Sequence, residues 1–185
     1  MRWAVVFVVL LTTGCGAAPA ETKPKPAASP SPTAITPTNL PTAAPSPPPP
    51  SKKASDASAT GYAKYVVRTF YYALTTRDPA PLTDLVAEGK RCRGCEDTAQ
   101  AIDDLLSQKV YQVPGKIRFA RAEVSGREDP RAIVTSLVRV RPGTWVSESD
   151  GMTGVLAGQK PKFTILLSWD DAANTWRLVD YTVTT

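Results

Sequence analysis

Apolar and polar positions change rhythm several times along this chain, and each change marks a boundary. Ala4 to Leu11 is an unbroken apolar run. From Gly16 to Ser58 large apolar side chains almost vanish. Beyond that, Tyr62, Val66, Phe70 and Ala73 recur at helical spacing, with Thr69 and Leu74 filling the same side. Pro79 and Pro81 cannot continue a helix, so the first one is predicted to stop near Thr76 to Asp78. A short second helix fits Pro81 to Ala87, closed by Gly89. A third is predicted from Glu96 to about Lys109, with Ala99, Ile102, Leu105 and Leu106 as its apolar stripe. Glu96 and Asp97 fall in its first turn, where the helix dipole favours negative charge.

The second half of the chain changes to a period of two. Phe163, Ile165, Leu167 and Trp169 alternate with Thr164, Ser168 and Asp170, the pattern of a half-buried strand. Arg131 to Arg141 reads as a long strand with Val134, Val138 and Val140 on one face and Ile133 and Leu137 on the other. Apolar residues on both faces place it in the middle of a sheet. Ile117 and Phe119 mark an earlier strand and Trp176 to Thr184 a last one, with Asp170 to Asn174 as a tight hairpin loop. Trp145 to Lys160, with glycines at 151, 154 and 158, reads as a loop around a short strand. Three helices followed by about four antiparallel strands predict an α+β domain with helices on one face of a sheet. Residues 59–185 suffice for one such domain and not two.

The first apolar run follows a single basic residue, Arg2, and lies within the range of about 7–15 residues found in signal peptides. A membrane-spanning helix needs about 20. Thr12-Thr13-Gly14-Cys15 resembles a bacterial lipobox, in which a small residue precedes a cysteine that takes a diacylglycerol group. Thr12 stands where that motif usually carries Leu. The resemblance implies a signal peptide over 1–14 and a Cys15 that carries lipid, including palmitate. It also implies an address at the extracytoplasmic face of the cell membrane. An ordinary secreted chain cut after Ala18 or Ala20 is the alternative. The chain has three cysteines, and lipidation of Cys15 leaves Cys92 and Cys95 as a pair.

Twelve of the eighteen prolines fall in the tract 15–58, which is predicted to be a disordered, locally polyproline-like tether. Lys23, Lys25, Lys52 and Lys53 outnumber Glu21 and Asp56 there. That excess suits either contact with anionic lipids or wall polymers, or a solvated spacer. The domain itself is nearly balanced, with 17 Lys and Arg against 15 Asp and Glu. Its sequence shows no clustered basic stripe, so no nucleic-acid partner is expected.

The absence of histidine excludes His-based triads, His metal sites and imidazole acid–base catalysis. No phosphate loop or G-x-S-x-G motif is present, and a closed zinc site would need a second ligand pair. No catalytic residue, cofactor or metal is assigned. Cys92-x-x-Cys95 has two readings. Exported thiols oxidise, and a disulfide in so short a ring contributes about 2 kcal/mol, fixing the turn between the second and third helices. A redox pair would draw on Lys90, Arg91, Arg93 and the nearby helix start to stabilise a thiolate. Thioredoxin-like pairs, however, follow a strand rather than join two helices. Asp180 and Tyr181 are neighbours on the last strand, where successive side chains face opposite ways, so one of them can face a cavity. Trp145 and Trp169, with Trp176 and Tyr111, either line a pocket or fill the core.

Tyr65 to Val86, with its Phe-Tyr-Tyr-Ala-Leu, Thr-Arg-Asp and Leu-x-x-Leu-Val pieces, resembles the opening helices of the nuclear transport factor 2-like (SnoaL-like) fold. That resemblance implies a cone: a strongly curved antiparallel sheet wrapping three helices and leaving a pocket. Enzymes of that fold usually place Asp, His or Tyr in the pocket. Together with the lipobox, the tether and the cysteine pair, the chain resembles an actinobacterial lipoprotein family whose domain has no assigned function. The expectation is a lipid-anchored, non-catalytic domain that binds a small-molecule ligand or a cell-envelope protein. The alternatives are a pocket enzyme using Asp180 or Tyr181 as an acid–base group, and a thiol–disulfide protein using Cys92 and Cys95.

Overall fold

The computed structural model describes residues 40, 41 and 43–185. The signal peptide, Cys15 and most of the tether therefore lie outside the described residues. Helix α1 spans Asp56–Thr76, α2 Ala80–Thr83 and α3 Arg93–Ser107. Seven strands follow: β1 Val110–Val113, β2 Ile117–Glu128, β3 Arg131–Val140, β4 Gly143–Ser147, β5 Thr153–Leu156, β6 Lys162–Asp170 and β7 Thr175–Thr184. They form two antiparallel sheets, of order β2-β3-β6-β7 and β1-β4-β5.

α1 starts with a reciprocal capping box between Ser55 and Ser58 and stops where Arg77 enters the left-handed region at φ 57°. Its apolar stripe, including Tyr62, Val66, Val67 and Tyr71, is buried. The helix touches all four strands of the larger sheet and β1 of the smaller, so the strands enclose it on several sides. Phe163, Ile165, Leu167, Trp176, Leu178, Val134 and Val138 supply the facing wall. Each such side chain contributes roughly 1.5–3 kcal/mol by leaving water. β3 lies between β2 and β6, as its two apolar faces predict, with Ile133 and Leu137 on the outer face at 40% and 39% exposure. Unpaired Ala120 and Ser125 put two bulges in β2, which add bend and twist to the larger sheet.

Four expectations change. The second helix is four residues long, not seven, because the chain straightens after Thr83 to cover the free edge of β7. Ala87 N–H donates to Leu178 O at 2.7 Å and Leu178 N–H to Leu85 O at 2.8 Å. This pairing protects an otherwise exposed edge. α3 begins at Arg93 rather than Glu96, with Cys92 as its N-cap. The 145–160 stretch holds most of β4 and all of β5. Finally, the boundary expected at 59 falls inside α1, and ordered chain precedes it.

That preceding segment lies on the domain, although its composition reads as disordered tether. Pro41, Ala43 and Pro45 share a cleft with Tyr72, Thr75 and Pro114. Pro48, Pro49 and Pro50 share another with Tyr62, Trp169 and Trp176. The strap thus runs antiparallel to α1. Ser51 N–H donates to Asn174 O, Arg127 Nη2 to Ala54 O, and Trp176 Nε1 to Ser58 Oγ. A polyproline segment has no internal hydrogen bonds to lose, so its rings can pack on aromatic faces at low entropic cost.

Candidate functional site

The open end of the larger sheet holds a cavity in two parts. Phe70 and Leu74 of α1, Gln112 of β1 and Val183 of β7 line both. The inner part, about 160 Å³, adds Tyr71, Val140, Leu156 and Pro161, with Arg141 and Gln159 as further polar groups. The outer groove, about 600 Å³, adds Asp97, Thr98, Asp104 and Leu105 of α3 together with Tyr181. Phe70 is held edge-on against Phe163 and Tyr181, at ring distances of 5.2 and 5.9 Å. An apolar cavity of about 150 Å³ accepts one benzene-sized ring. The inner part is therefore scaled for one ring or a short aliphatic stretch, with the Gln112 amide as a neutral hydrogen-bonding group.

Asp180 and Tyr181 take opposite roles because of a bulge. Leu166 pairs with Asp180 and Leu167 with Leu178, which leaves Val179 unpaired. Leu178 and Tyr181 consequently both face the core, at 0% and 4% exposure. Asp180 Oδ1 accepts from Gly94 N–H and from Tyr181 N–H, each at 2.9 Å. It is an external cap on the first turn of α3. Thr98 Oγ1 donates to Gly94 O at 2.8 Å, so the Tyr181 hydroxyl donates to Thr98. Burial pushes the Tyr181 phenol well above the ordinary tyrosine range, and burial raises Tyr71 to about 12. These phenols stay protonated at neutral pH. A Cβ on Gly94 would lie 2.2 Å from Tyr181 O, so glycine is what lets α3 approach β7 this closely.

Cys92 and Cys95 form a disulfide with Cα atoms 5.2 Å apart. Both are buried, at 5% and 3% exposure, and Cys92 Sγ accepts from Cys95 N–H at 3.1 Å. Of the nearby cations, Arg91 is committed to Glu96 through two hydrogen bonds of 2.7 and 2.8 Å. The bridge closes the first turn of α3, the same turn that Asp180 caps.

The four pocket candidates do not form one site. Tyr181 lines the outer groove. Trp145 covers Gly154 on the neighbouring strand, where a Cβ would sit 2.3 Å from its Nε1. Trp169 packs edge-on against Trp176 at 5.4 Å and donates to Asp171, in the cleft that holds the proline strap. Tyr111 lies under the Arg77 guanidinium, 3.6 Å from its ring centre. Sequence reasoning missed Gln112 and Leu156, which sit on strands of four residues, too short for periodicity to reveal. Phe70 was available as a member of the α1 stripe.

No family model matches the sequence, and no curated protein matches it. Similar solved structures include a nuclear transport factor 2-like superfamily protein from Salmonella enterica serovar Typhimurium. It is 11% identical with a TM-score of 0.46, and the match covers 69% of this chain and 91% of that one. ActVI-ORFA from Streptomyces coelicolor is 15% identical with a TM-score of 0.45, over 66% of this chain and 93% of that one. A ketosteroid isomerase-like protein from Erwinia carotovora atroseptica is 12% identical with a TM-score of 0.42, over 65% and 90%. At these identities and scores the likeness carries no argument about what this chain binds or does.

Proposed function

We propose that this chain is a lipid-anchored, extracytoplasmic protein whose domain is a non-catalytic binding module. It holds one small, largely apolar ligand, or the apolar side chain of a cell-envelope partner, in the cavity behind Phe70 and Leu74. The observation that carries this reading is the wall of the inner cavity. It combines apolar side chains with the amides of Gln112 and Gln159 and a single cation, Arg141, at its margin, while the nearby Tyr181 hydroxyl and Asp180 carboxylate are both taken up by α3. The thiol–disulfide alternative is disfavoured because both sulfurs are buried, and exchange requires access for an attacking thiolate.

The test uses the full chain and toluene as probe, with binding followed by titration calorimetry. Saturable binding is expected for the natural sequence and is lost in Leu74→Trp, whose indole fills the cavity. Absence of binding, or equal binding by the filled variant, sinks the cavity reading. The anchor is read separately: Cys15→Ala is expected to abolish palmitate incorporation and either release the chain from membranes in a high-salt wash or stall it with its signal peptide attached. Unchanged processing and retention refute it.

A further inference from the structure

Two exposed patches of the domain carry mostly one sign of charge. Glu96, Asp97, Asp103 and Asp104 are exposed on α3, which packs beside β7 at one edge of the larger sheet. A group of cations lies on β2, β3 and β6 and the chain next to them. Arg118 of β2 is the direct cross-strand partner of Arg139 of β3. Arg141 follows directly on the end of β3, and its N–H donates to Lys116 O. Lys162 of β6 pairs with Leu137, one row from Arg139. All five side chains are exposed, and none takes part in an ion pair among the described residues. Like charges directly opposite one another destabilise a ladder. Folding alone gives no reason for the Arg118–Arg139 pair, whereas an anionic partner would turn the repulsion into attraction.

A second observation identifies the partner. The strap enters the domain beside this cluster: Pro41, Ala43 and Pro45 share their cleft with Pro114 and Ile117, which flank Lys116. A tether from Cys15 would join the domain at this corner with only 24 residues between Cys15 and residue 40. Were they the coil their composition predicts, those residues would span about 25–30 Å, short enough to hold the cluster near a membrane.

We infer that the face formed by Lys116, Arg118, Arg139, Arg141 and Lys162 docks on the anionic headgroups of a phospholipid bilayer. The inference rests on the membrane tether of the proposed function and adds an orientation to it. Arg141 also lines the inner cavity, so the docked face lies beside the ligand site. Each cation at an anionic surface is worth about fivefold in affinity.

The experiment is co-sedimentation of the Cys15→Ala full chain with vesicles containing phosphatidylglycerol or made of phosphatidylcholine alone, at low and high salt. A second chain carries Lys116→Gln, Arg118→Gln, Arg139→Gln and Lys162→Gln in the same background. The apolar N-terminal run is common to both, so only the face differs. Expected is salt-sensitive preference for phosphatidylglycerol that falls roughly 100-fold or more in the quadruple variant, with a melting temperature that holds or rises as the Arg118–Arg139 repulsion is removed. No preference in the parent chain, or an undiminished preference in the variant, overturns the inference. So does tighter face-dependent binding to duplex DNA than to the vesicles. Because neither chain carries lipid, these results are independent of whether Cys15 is acylated.

Discussion

Replacing Asp180 tests whether its carboxylate serves the fold or a reaction. In the structure Asp180 Oδ1 is the acceptor for the buried Gly94 N–H at the first turn of α3. Alanine removes that acceptor and leaves the donor shut away from water, which costs about 1–3 kcal/mol. It also removes a negative charge from a helix N-terminus, worth roughly 0.3–1 kcal/mol. The expected loss is about 1–4 kcal/mol, or a fall of about 10 °C in melting temperature at the middle of that range for a domain of this size. Asparagine keeps an oxygen acceptor in place, so Asp180→Asn is expected to lose only about 1 kcal/mol. Urea denaturation of the oxidised protein, followed by circular dichroism, measures both. An Asp180→Ala chain within about 0.5 kcal/mol of the parent refutes the capping role, since that is the scale of a surface substitution without a partner. An Asp180→Asn chain of full stability that loses toluene binding would instead point to a direct role at the ligand.

The disulfide gives the next expectation. Reduction or Cys92→Ala with Cys95→Ala is expected to lower stability by about 2 kcal/mol, because a four-residue ring excludes little unfolded-state freedom. The native protein should show almost no thiol labelling; rapid, reversible reduction under native conditions would revive the redox reading. A third expectation concerns acid. The Arg77 guanidinium, 2.5 Å away, holds the Glu148 carboxyl below its ordinary value of 4.5. A depressed native pKa means stabilisation that is complete above about 4.5 and disappears as pH falls through the lower, native value. Glu148→Gln should flatten the stability–pH profile in that window, and an unchanged slope contradicts the assignment.

The long elements were legible because they bury one face along many residues. α1, β3, β6 and β7 each show their period over ten or so positions, and the hairpin at Asp170 to Asn174 carries its own turn residues. β1, β4 and β5 were not, since four or five residues cannot display a rhythm. The glycine at 154, read as a loop signal, is a strand residue that gives Trp145 room to lie across it. The strap was hidden for a different reason: composition describes what a segment lacks internally, and its partners Tyr62, Trp169 and Trp176 are distant in sequence. At the site, alternation foresaw that Asp180 and Tyr181 would diverge. It could not foresee the bulge at Val179 that selects Tyr181 for the core, because an unpaired residue leaves no mark in the pattern.

The two walls of the cavity are held by unlike means, and this decides where it can yield. On the α3 side, the Cys92–Cys95 bridge, the Asp180 cap and the close approach of Gly94 to Tyr181 all act within one helical turn. On the other side, Gln112 and Leu156 belong to the small sheet of short strands. Arg77 joins that sheet to the end of α1 by pairing with Glu148 and stacking over Tyr111. Segments with fewer buried contacts open at lower free energy than the core they border. A ligand would therefore enter by displacement of the small sheet and not of α3. The clamp that resists this motion contains the acid-sensitive carboxylate, so protonating Glu148 should loosen the cavity before it unfolds the domain. Following toluene binding through the same acid titration separates the two events: a change in binding that merely tracks global unfolding would show that the clamp has no such role.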